Sequence, residues 1–319
     1  MKVSVCLTVY NEEKSIRVLV ESLLSQSKKP DEIVIVDGGS SDKTVEIIRH
    51  LQKKDKRIIL LVQKCTRAEG RNLSVELSKN EIVAITDADC IAKKTWLERI
   101  TEPFNNSNAD ISAGFYEMKS KNTLQRAESV FLGVNPNDFD IRFLPSTRSI
   151  AFRKAIWEEI GGFPESKDNS AEDTDFNYKA VKLGAKYARV KNAQVEWSMP
   201  PTFKSFIKKI RDYAMWDAKY GIWWHPTKKL TSHNIKVLAV YMRYLIGLIL
   251  LVIAVYNPSL FSIPFILIFL YLIWSFRKVF IKTNDLKAGL WGIPLQFATD
   301  LAVMSGFLQG IIKHGSNKD

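Results

Sequence analysis

Cysteine is scarce in this chain: Cys6, Cys65 and Cys90 are widely spaced, with no CxxC pair among them. An odd number without paired spacing argues against a disulfide framework or a zinc site, and fits a reducing compartment. Histidine is nearly as rare, and none of His50, His225, His233 and His314 lies near a candidate site. No basic n-region, apolar h-region and cleavage site open the sequence, which starts directly on strand-like Val3–Leu7. A signal peptide is therefore not expected, and residues 1 to about 230 are expected in the cytoplasm. No nucleic-acid-binding motif stands out either, although the formal charge is +12 over 319 residues. Such a basic balance then points to an anionic membrane surface or to phosphorylated ligands.

Long apolar runs are present, all in the last third. Val237–Tyr256 carries a single charge, Arg243, and Pro258–Phe276 carries none. Each approaches the ~20 residues needed to cross hydrocarbon. A third segment, Ala288–Ile312, carries only Asp300 but includes four glycines and a proline, so it is read as a span or, alternatively, as an interfacial helix. Arg277, Lys278, Lys282 and Lys287 lie between the second and third segments and are expected to stay cytoplasmic, which puts the Asn257–Pro258 turn outside. Just upstream, Phe203–Leu230 interleaves Lys204, Lys208, Lys209 and Arg211 with Phe206, Tyr213, Trp216 and Tyr220. Rings and cations together suit a helix at headgroup level. The expected division is a first domain over 1–203, a basic-aromatic interfacial segment over 204–236 and a membrane domain over 237–319.

The first 120 residues alternate as βαβ units do. Strands are expected at Val3–Val9, Ile33–Val36, Ile58–Val62 and Ile82–Thr86. Helical spacing is seen at Ile16, Leu19, Val20 and Leu23, and at Val45, Ile48 and Leu51, the latter with Ser41 or Asp42 as N-cap. Further on, Asp110–Met118, Ser149–Arg153 and Val190–Trp197 read as strands. Lys154–Ile160 and Thr174–Leu183 read as helices, with a polar loop over 165–172.

Strand ends carry the chemistry. In an open α/β sheet, ligands bind outside the carboxyl ends of the strands. Here those ends read Thr8-Val9-Tyr10-Asn11-Glu12, then Asp37, then Asp87-Ala88-Asp89. Hard oxygen ligands separated by one small residue suit Mg²⁺ or Mn²⁺, which in turn hold phosphates. Capping and turn formation are the plain alternatives for each aspartate taken singly. Arg67 and Arg71 are candidates for phosphate contacts, against the commoner fate of surface ion pairs.

The ensemble resembles family-2 nucleotide-sugar glycosyltransferases. The residues that carry the likeness are Val5–Glu12, Glu32–Thr44, Gly70-Arg71-Asn72, Asp87-Ala88-Asp89, Gly161-Gly162-Phe163 and Glu172-Asp173, in family order across roughly residues 3 to 225. The resemblance implies a GT-A fold, that is, a Rossmann-like α/β catalytic domain with a mainly parallel central sheet, followed here by transmembrane helices. It implies that Thr8, Tyr10, Glu12 and Asp37 line the nucleobase and ribose site, that Asp87 faces the nucleoside, and that Asp89 ligates Mg²⁺ or Mn²⁺ on the diphosphate. Asp173 matches the family's general base, with Glu172 holding acceptor hydroxyls; complementing a helix N-terminus is the alternative role for such acids. Arg211 falls in a region that in membrane relatives closes over donor and acceptor; a diphosphate or a lipid headgroup is its expected partner. The chain departs from the pattern at Trp197, where many relatives have a histidine that completes the metal site.

The expected function is a membrane-anchored, metal-dependent, inverting transfer of sugar from a nucleoside diphosphate (a UDP-sugar by default) to a hydroxyl of a lipid-linked or membrane-associated glycan. A polyprenyl-phosphate acceptor, and a catalytically silent nucleotide-sugar-binding scaffold, are the alternatives. A nucleotidyltransferase would need a Gly-rich, Arg/Lys-containing loop after the first strand, and Tyr10–Lys14 is not one. Localisation at the cell membrane, multi-pass, with the catalytic domain in the cytoplasm, completes the expectation.

Overall fold

The structure is a computed structural model that describes residues 1–106, 108–165, 171–231 and 233–315. It comprises two compact units, Met1–Lys119 with Asn137–Ser198, and Ser120–Pro136 with Met199–Asp319.

In chain order the first unit runs β1 (Val3–Val9), α1 (Ile16–Leu24), β2 (Glu32–Asp37), α2 (Thr44–Lys54), β3 (Ile58–Val62), α3 (Arg67–Leu77), β4 (Ile82–Ile85), β5 (Cys90–Ala92), α4 (Trp96–Thr101), α5 (Pro103–Asn106) and β6 (Ile111–Lys119). After α6 (Thr123–Leu132), which belongs to the second unit, it resumes with β7 (Ile150–Arg153), α7 (Lys154–Ile160), α8 (Glu172–Lys182) and β8 (Tyr187–Ser198). The strands form one sheet in the order β3-β2-β1-β4-β7-β6-β8-β5. β3, β2, β1 and β4 are mutually parallel. β7 runs antiparallel to both β4 and β6, β8 runs parallel to β6, and β5 runs antiparallel to β8. This mixed, mostly parallel sheet bears out the expected architecture.

The physical reason is in the residue types. β1 and β2 are buried almost throughout, as near-continuous Val/Ile/Leu runs must be when helices cover both faces. α1 turns Ile16, Leu19, Val20 and Leu23 inward, one helical face as the spacing predicts. β6 shifts register against β8 between Ala113 and Phe115, at Gly114. A Cβ there would lie 2.0 Å from Ser149 Oγ, which receives the Trp96 indole N–H at 2.9 Å and donates to Ala193 O at 3.0 Å. Only glycine lets this buried relay pass. Asn72, a member of the Gly70-Arg71-Asn72 motif, hydrogen-bonds both the N–H and the C=O of Phe163 at 2.8 Å. It thereby fastens α3 to the turn that ends α7.

Several boundaries differ from expectation. α8 begins at Glu172, two residues early, because three acidic side chains in its first turn complement the helix N-terminus. Of the expected 165–172 loop, residues 166–170 lie outside the described residues. α2 has Lys43 at its cap position, not Ser41 or Asp42. Asp42 does the capping chemistry one residue early, accepting from the Thr44 N–H at 2.9 Å and its hydroxyl at 2.5 Å. β5 and α4 were not foreseen; three strand residues are too few to show a period.

The second unit adds α9 (Phe203–Lys219), a short hairpin of β9 (Trp224–His225) and β10 (Leu230–Thr231), and then α10 (His233–Tyr256), α11 (Ser262–Thr283) and α12 (Leu286–Gly315). α9 opens with a reciprocal cap between Thr202 and Ser205. α10, α11 and α12 are each long and apolar enough to cross a membrane. Leu248, Val255, Phe265 and Phe269 are among the many large apolar side chains that α10 and α11 leave exposed, a surface that water does not tolerate. α12 is more covered: 44% of its apolar window is buried, against 11% for α10 and for α11. Its glycines explain this. A Cβ on Gly306 or Gly310 would stand 2.2 Å from the carbonyl oxygen of Arg211 or Met215, so α9 and α12 pack backbone to backbone.

Candidate active site

Strand direction decides what meets at one edge of the sheet. β1, β2 and β4 end there, and so does β8, which is parallel to β6 and hence to β4. β7 is antiparallel, so its beginning, not its end, arrives at the same edge. The edge thus collects Thr8 to Glu12, Asp37, Asp87 to Asp89, Trp197, and the Thr147-Arg148 pair just ahead of β7.

At its centre Arg71, 2% exposed, bridges two carboxylates. Nη2 donates to Asp87 Oδ1 at 2.7 Å and Nη1 donates to Glu172 Oε1. Glu172 also receives Arg67 Nε at 2.8 Å. Burial works to lower the Arg71 pKa, but Asp87, Glu172 and Asp173 hold it above its ordinary value. Burial likewise works to raise Asp87, yet Arg71 first, then Arg148 and Arg67, pull it down to about 2. Thr147 Oγ1 approaches the other Asp87 oxygen at 3.4 Å. Asp173 sits beside this cluster and behaves oppositely. Burial, with the neighbouring Glu172 charge, raises its pKa above the usual carboxylate value. Its Oδ1 accepts the Thr174 N–H at 2.8 Å.

Asp89 is held from another direction. The antiparallel pairing of β5 with β8 sets Cys90 opposite Trp197, and the Trp197 indole N–H donates to Asp89 Oδ2 at 2.7 Å. Trp197 is 1% exposed, meets Tyr116 edge-on, and carries the Arg148 guanidinium on its face, 3.8 Å from the ring centroid. Glu196 points elsewhere, to Lys119 at 2.6 Å. Among the described residues no three His, Cys, Asp or Glu side chains cluster as a metal would need for a cage of protein ligands. One carboxylate at Asp89 together with phosphate oxygens is nevertheless a donor set that a hydrated Mg²⁺ or Mn²⁺ accepts.

The remaining expected site residues fall as follows. Thr8 is half-buried against α3; a Cβ on Gly70 would lie 2.2 Å from its hydroxyl. Tyr10 is 61% exposed. Glu12 takes the Ser15 hydroxyl at 2.5 Å. Burial raises the Glu12 pKa; the Ser15 hydroxyl opposes this, while the charges of Asp89, Asp42 and Asp87 add to it. Asp37 is fully buried and accepts from the N–H groups of Gly39 and Ser40 at 3.0 and 2.8 Å and from the Ser40 hydroxyl at 2.5 Å. Its carboxylate therefore organises the loop after β2. Arg211 lies on α9 in the second unit, where Nη2 is 3.5 Å from Asp212. Sequence reasoning missed Arg148. Its only sequence signal is a position two residues before a strand, which means nothing until that strand is known to run antiparallel.

Residues 4–160 match the model of glycosyl transferase family 2, and residues 115–277 match that of glycosyl transferase family group 2. The chain is 29% identical over 169 residues to Glycosyltransferase AglE of Haloferax volcanii, covering 51% of this chain and 56% of that one. It is 32% identical over 116 residues to Glycosyltransferase GlyG of Streptococcus pneumoniae, covering 36% and 38%. The chain thus spans about half or less of the length of these curated relatives. Among solved structures, the mannosyltransferase PcManGT from Pyrobaculum calidifontis, in complex with GDP-Man and Mn²⁺, superposes with a TM-score of 0.55 at 18% identity, over 100% of this chain and 88% of that one. S. aureus TarS 1–349 in complex with UDP-GlcNAc gives 0.53 at 23% identity, over 67% and 66%. At such identities these two speak for the fold alone.

Proposed function

The chain belongs to glycosyl transferase family 2, and from that premise we propose that it is a membrane-anchored, divalent-metal-dependent, inverting enzyme. It moves a sugar from a nucleoside diphosphate to a hydroxyl of a lipid-linked or membrane-associated glycan. The observation that carries this reading is the joining of Asp87 to the Glu172-Asp173 pair through buried Arg71, with Asp89 at the same sheet edge. Four carboxylates held at strand and helix ends exceed what capping requires.

The division of labour follows from the environments. Thr8, Tyr10, Glu12 and the loop organised by Asp37 receive the nucleoside. Asp87, kept ionised by Arg71, accepts hydrogen bonds on the donor side. Asp89, fixed by Trp197, would hold Mg²⁺ or Mn²⁺ together with the donor's phosphates, and the ion would offset charge developing on the departing diphosphate. Asp173, whose pKa is raised, suits a general base better than an ordinary carboxylate does. It takes the proton of the acceptor hydroxyl as that oxygen bonds to the anomeric carbon and the bond to the diphosphate oxygen breaks. Glu172, 2% exposed and locked by Arg71 and Arg67, keeps the base in place in this reading, instead of holding acceptor hydroxyls as the resemblance implies. One displacement of this kind inverts the anomeric configuration. The exposed apolar faces of α10 and α11 support anchoring in the cell membrane, and the basic residues flanking those helices support a cytoplasmic catalytic domain.

The test is a screen of UDP-, GDP- and dTDP-sugars for turnover stimulated by Mn²⁺ or Mg²⁺, with NMR of the product anomer. No response to any donor sinks the reading, and a retained anomer sinks inversion. In the same assay Asp173→Asn is expected to lose about 10²- to 10⁴-fold in kcat while melting like the wild type. Near-wild-type turnover would instead point to a phosphate acceptor, which needs no base.

A further inference from the structure

We propose that Arg243 and Lys278, which share the exposed ring of Trp274, form a binding site for the headgroup phosphate of a net-anionic phospholipid. The inference rests on the membrane anchoring in the reading above and adds to it a lipid of stated charge.

The three apolar segments carry one acid between them, Asp300. That carboxylate is 4% exposed and already supplied with donors on both oxygens. Gln296 Nε2 donates to Oδ1 at 2.8 Å, and the hydroxyls of Tyr244 and Tyr271 donate to Oδ2, the first at 3.1 Å. Gln296 turns its other end to Lys278, accepting from Nζ at 2.9 Å. α10, α11 and α12 thus each contribute to one polar network among helices whose outer faces are apolar. Ionisable groups in such segments are rare and mark places where an ion or a polar ligand is held.

Two cations face this one carboxylate. Arg243 Nη1 lies 3.6 Å from Asp300 Oδ2, beyond hydrogen-bonding distance, and Lys278 reaches Asp300 only through Gln296. Asp285, just ahead of α12, is held by Arg126 at 2.7 Å. The network therefore has one positive charge more than its acid balances. An uncompensated charge at an apolar surface is costly. A singly charged phosphodiester is the anion that removes the excess.

Both cations are within reach of a ligand. The Arg243 side chain is 36% exposed, and its other contacts among the described residues are the rings of Tyr271 and Trp274, 5.1 and 5.7 Å away. Lys278 is half-buried, gives one proton to Gln296, and rests over Phe131 at 4.0 Å and Trp274 at 5.5 Å. An ammonium has three N–H donors, so two point elsewhere than Gln296. Trp274 is itself 46% exposed and stacks on Tyr271. An indole beside cations suits the headgroup level of a membrane, and basic pockets between spans suit anionic headgroups.

Depth agrees. Lys278 stands two residues beyond Phe276, where the apolar run of α11 ends. Arg243 stands six residues past Val237, where the run of α10 begins, about 9 Å along at 1.5 Å per residue. α10 and α11 are consecutive spans, so these two ends share one side of the bilayer. Helical side chains lean towards the N-terminus, so the long Arg243 stem leads back to that boundary.

The experiment uses the purified full chain in detergent micelles, with the melting temperature followed as lipid is added. The probes are phosphatidylglycerol, phosphatidylcholine, a polyprenyl phosphate and inorganic phosphate. The wild type is expected to bind phosphatidylglycerol about fivefold or more tightly than phosphatidylcholine, which has the same phosphodiester but no net charge. Lys278→Gln and Arg243→Gln should each bring the two lipids close to parity, and Lys278→Arg should keep the preference. Melting without added lipid shows whether a variant folds; should Arg243→Gln fail there, Lys278→Gln decides. Equal binding of the two phospholipids by the wild type overturns the proposal, and so does a preference that survives in Lys278→Gln. Tighter binding of the polyprenyl phosphate, or displacement by inorganic phosphate at like concentration, overturns it by assigning the cations to a carrier lipid or to a free ion. If the chain stays monodisperse in buffer without detergent or lipid, the anchoring reading fails and this inference falls with it.

Discussion

Arg71 and Arg148 hold two halves of the candidate site in contrasting ways. Arg71 is 2% exposed and has both terminal nitrogens on carboxylates, whereas Arg148 is half-buried and stacked on an aromatic ring. A guanidinium taken out of water as completely as Arg71 must meet its desolvation cost with opposite charge already in place. Asp87 and Glu172 provide that charge, and in doing so become fixed relative to each other although they come from β4 and α8. An arginine on a ring face is stabilised by the quadrupole and by dispersion. Residues of one type are therefore held by opposite charge in one half and by a ring face in the other.

The contrast is sharpest in stability. Arg71→Met should leave Asp87 without its buried cation and Glu172 with Arg67 alone, and destabilise the fold by about 3–5 kcal/mol, read as a large fall in melting temperature of the purified chain. A variant that melts like the wild type would erase the distinction between the two arginines.

Acid should loosen the same half next. Asp87 has a folded pKa of about 2, below the value near 3.9 expected of an unfolded aspartate. Its contribution is fully present above the unfolded value and is lost as pH falls from about 4 towards 2. The amount is on the order of 2–3 kcal/mol for a group that remains 21% exposed. Melting curves across that window, compared with Asp87→Asn, check it; equal slopes for the two chains would contradict it.

The smallest effect belongs to the other half. Trp197→His replaces an indole donor by an imidazole beside Asp89 and offers a second protein ligand. Mn²⁺ binding, followed by electron paramagnetic resonance with the diphosphate present, is expected to tighten, while the melting temperature changes less than in Arg71→Met. Weaker Mn²⁺ binding would mean that Asp89 does not face the metal.

Much of this was legible beforehand because it is local. Near-continuous apolar runs at Val3–Val9 and Ile82–Ile85, and the helical spacing of Ile16, Leu19, Val20 and Leu23, name their elements without help from the rest of the chain. Asp87 and Asp89 could be read as strand-end groups for the same reason. Asp37 shows where that reasoning thins, since a buried carboxylate that ties down its own loop and one that waits for a ribose look alike in a sequence. Phosphate contact and ion pairing stay open for Arg71 in the sequence, because nothing local reveals that Glu172, about a hundred positions away, shares its burial.

By itself the sequence determined the α/β alternation, the acids at strand and helix ends, and the apolar lengths of α10, α11 and α12. Each of these follows from side-chain chemistry at fixed local spacing. Only the tertiary structure decided that β7 enters the site edge by its beginning, bringing Arg148, and that β5 folds back on β8, setting Trp197 against Asp89. Strand direction and partner are settled by packing across the whole sheet, and no residue carries them alone.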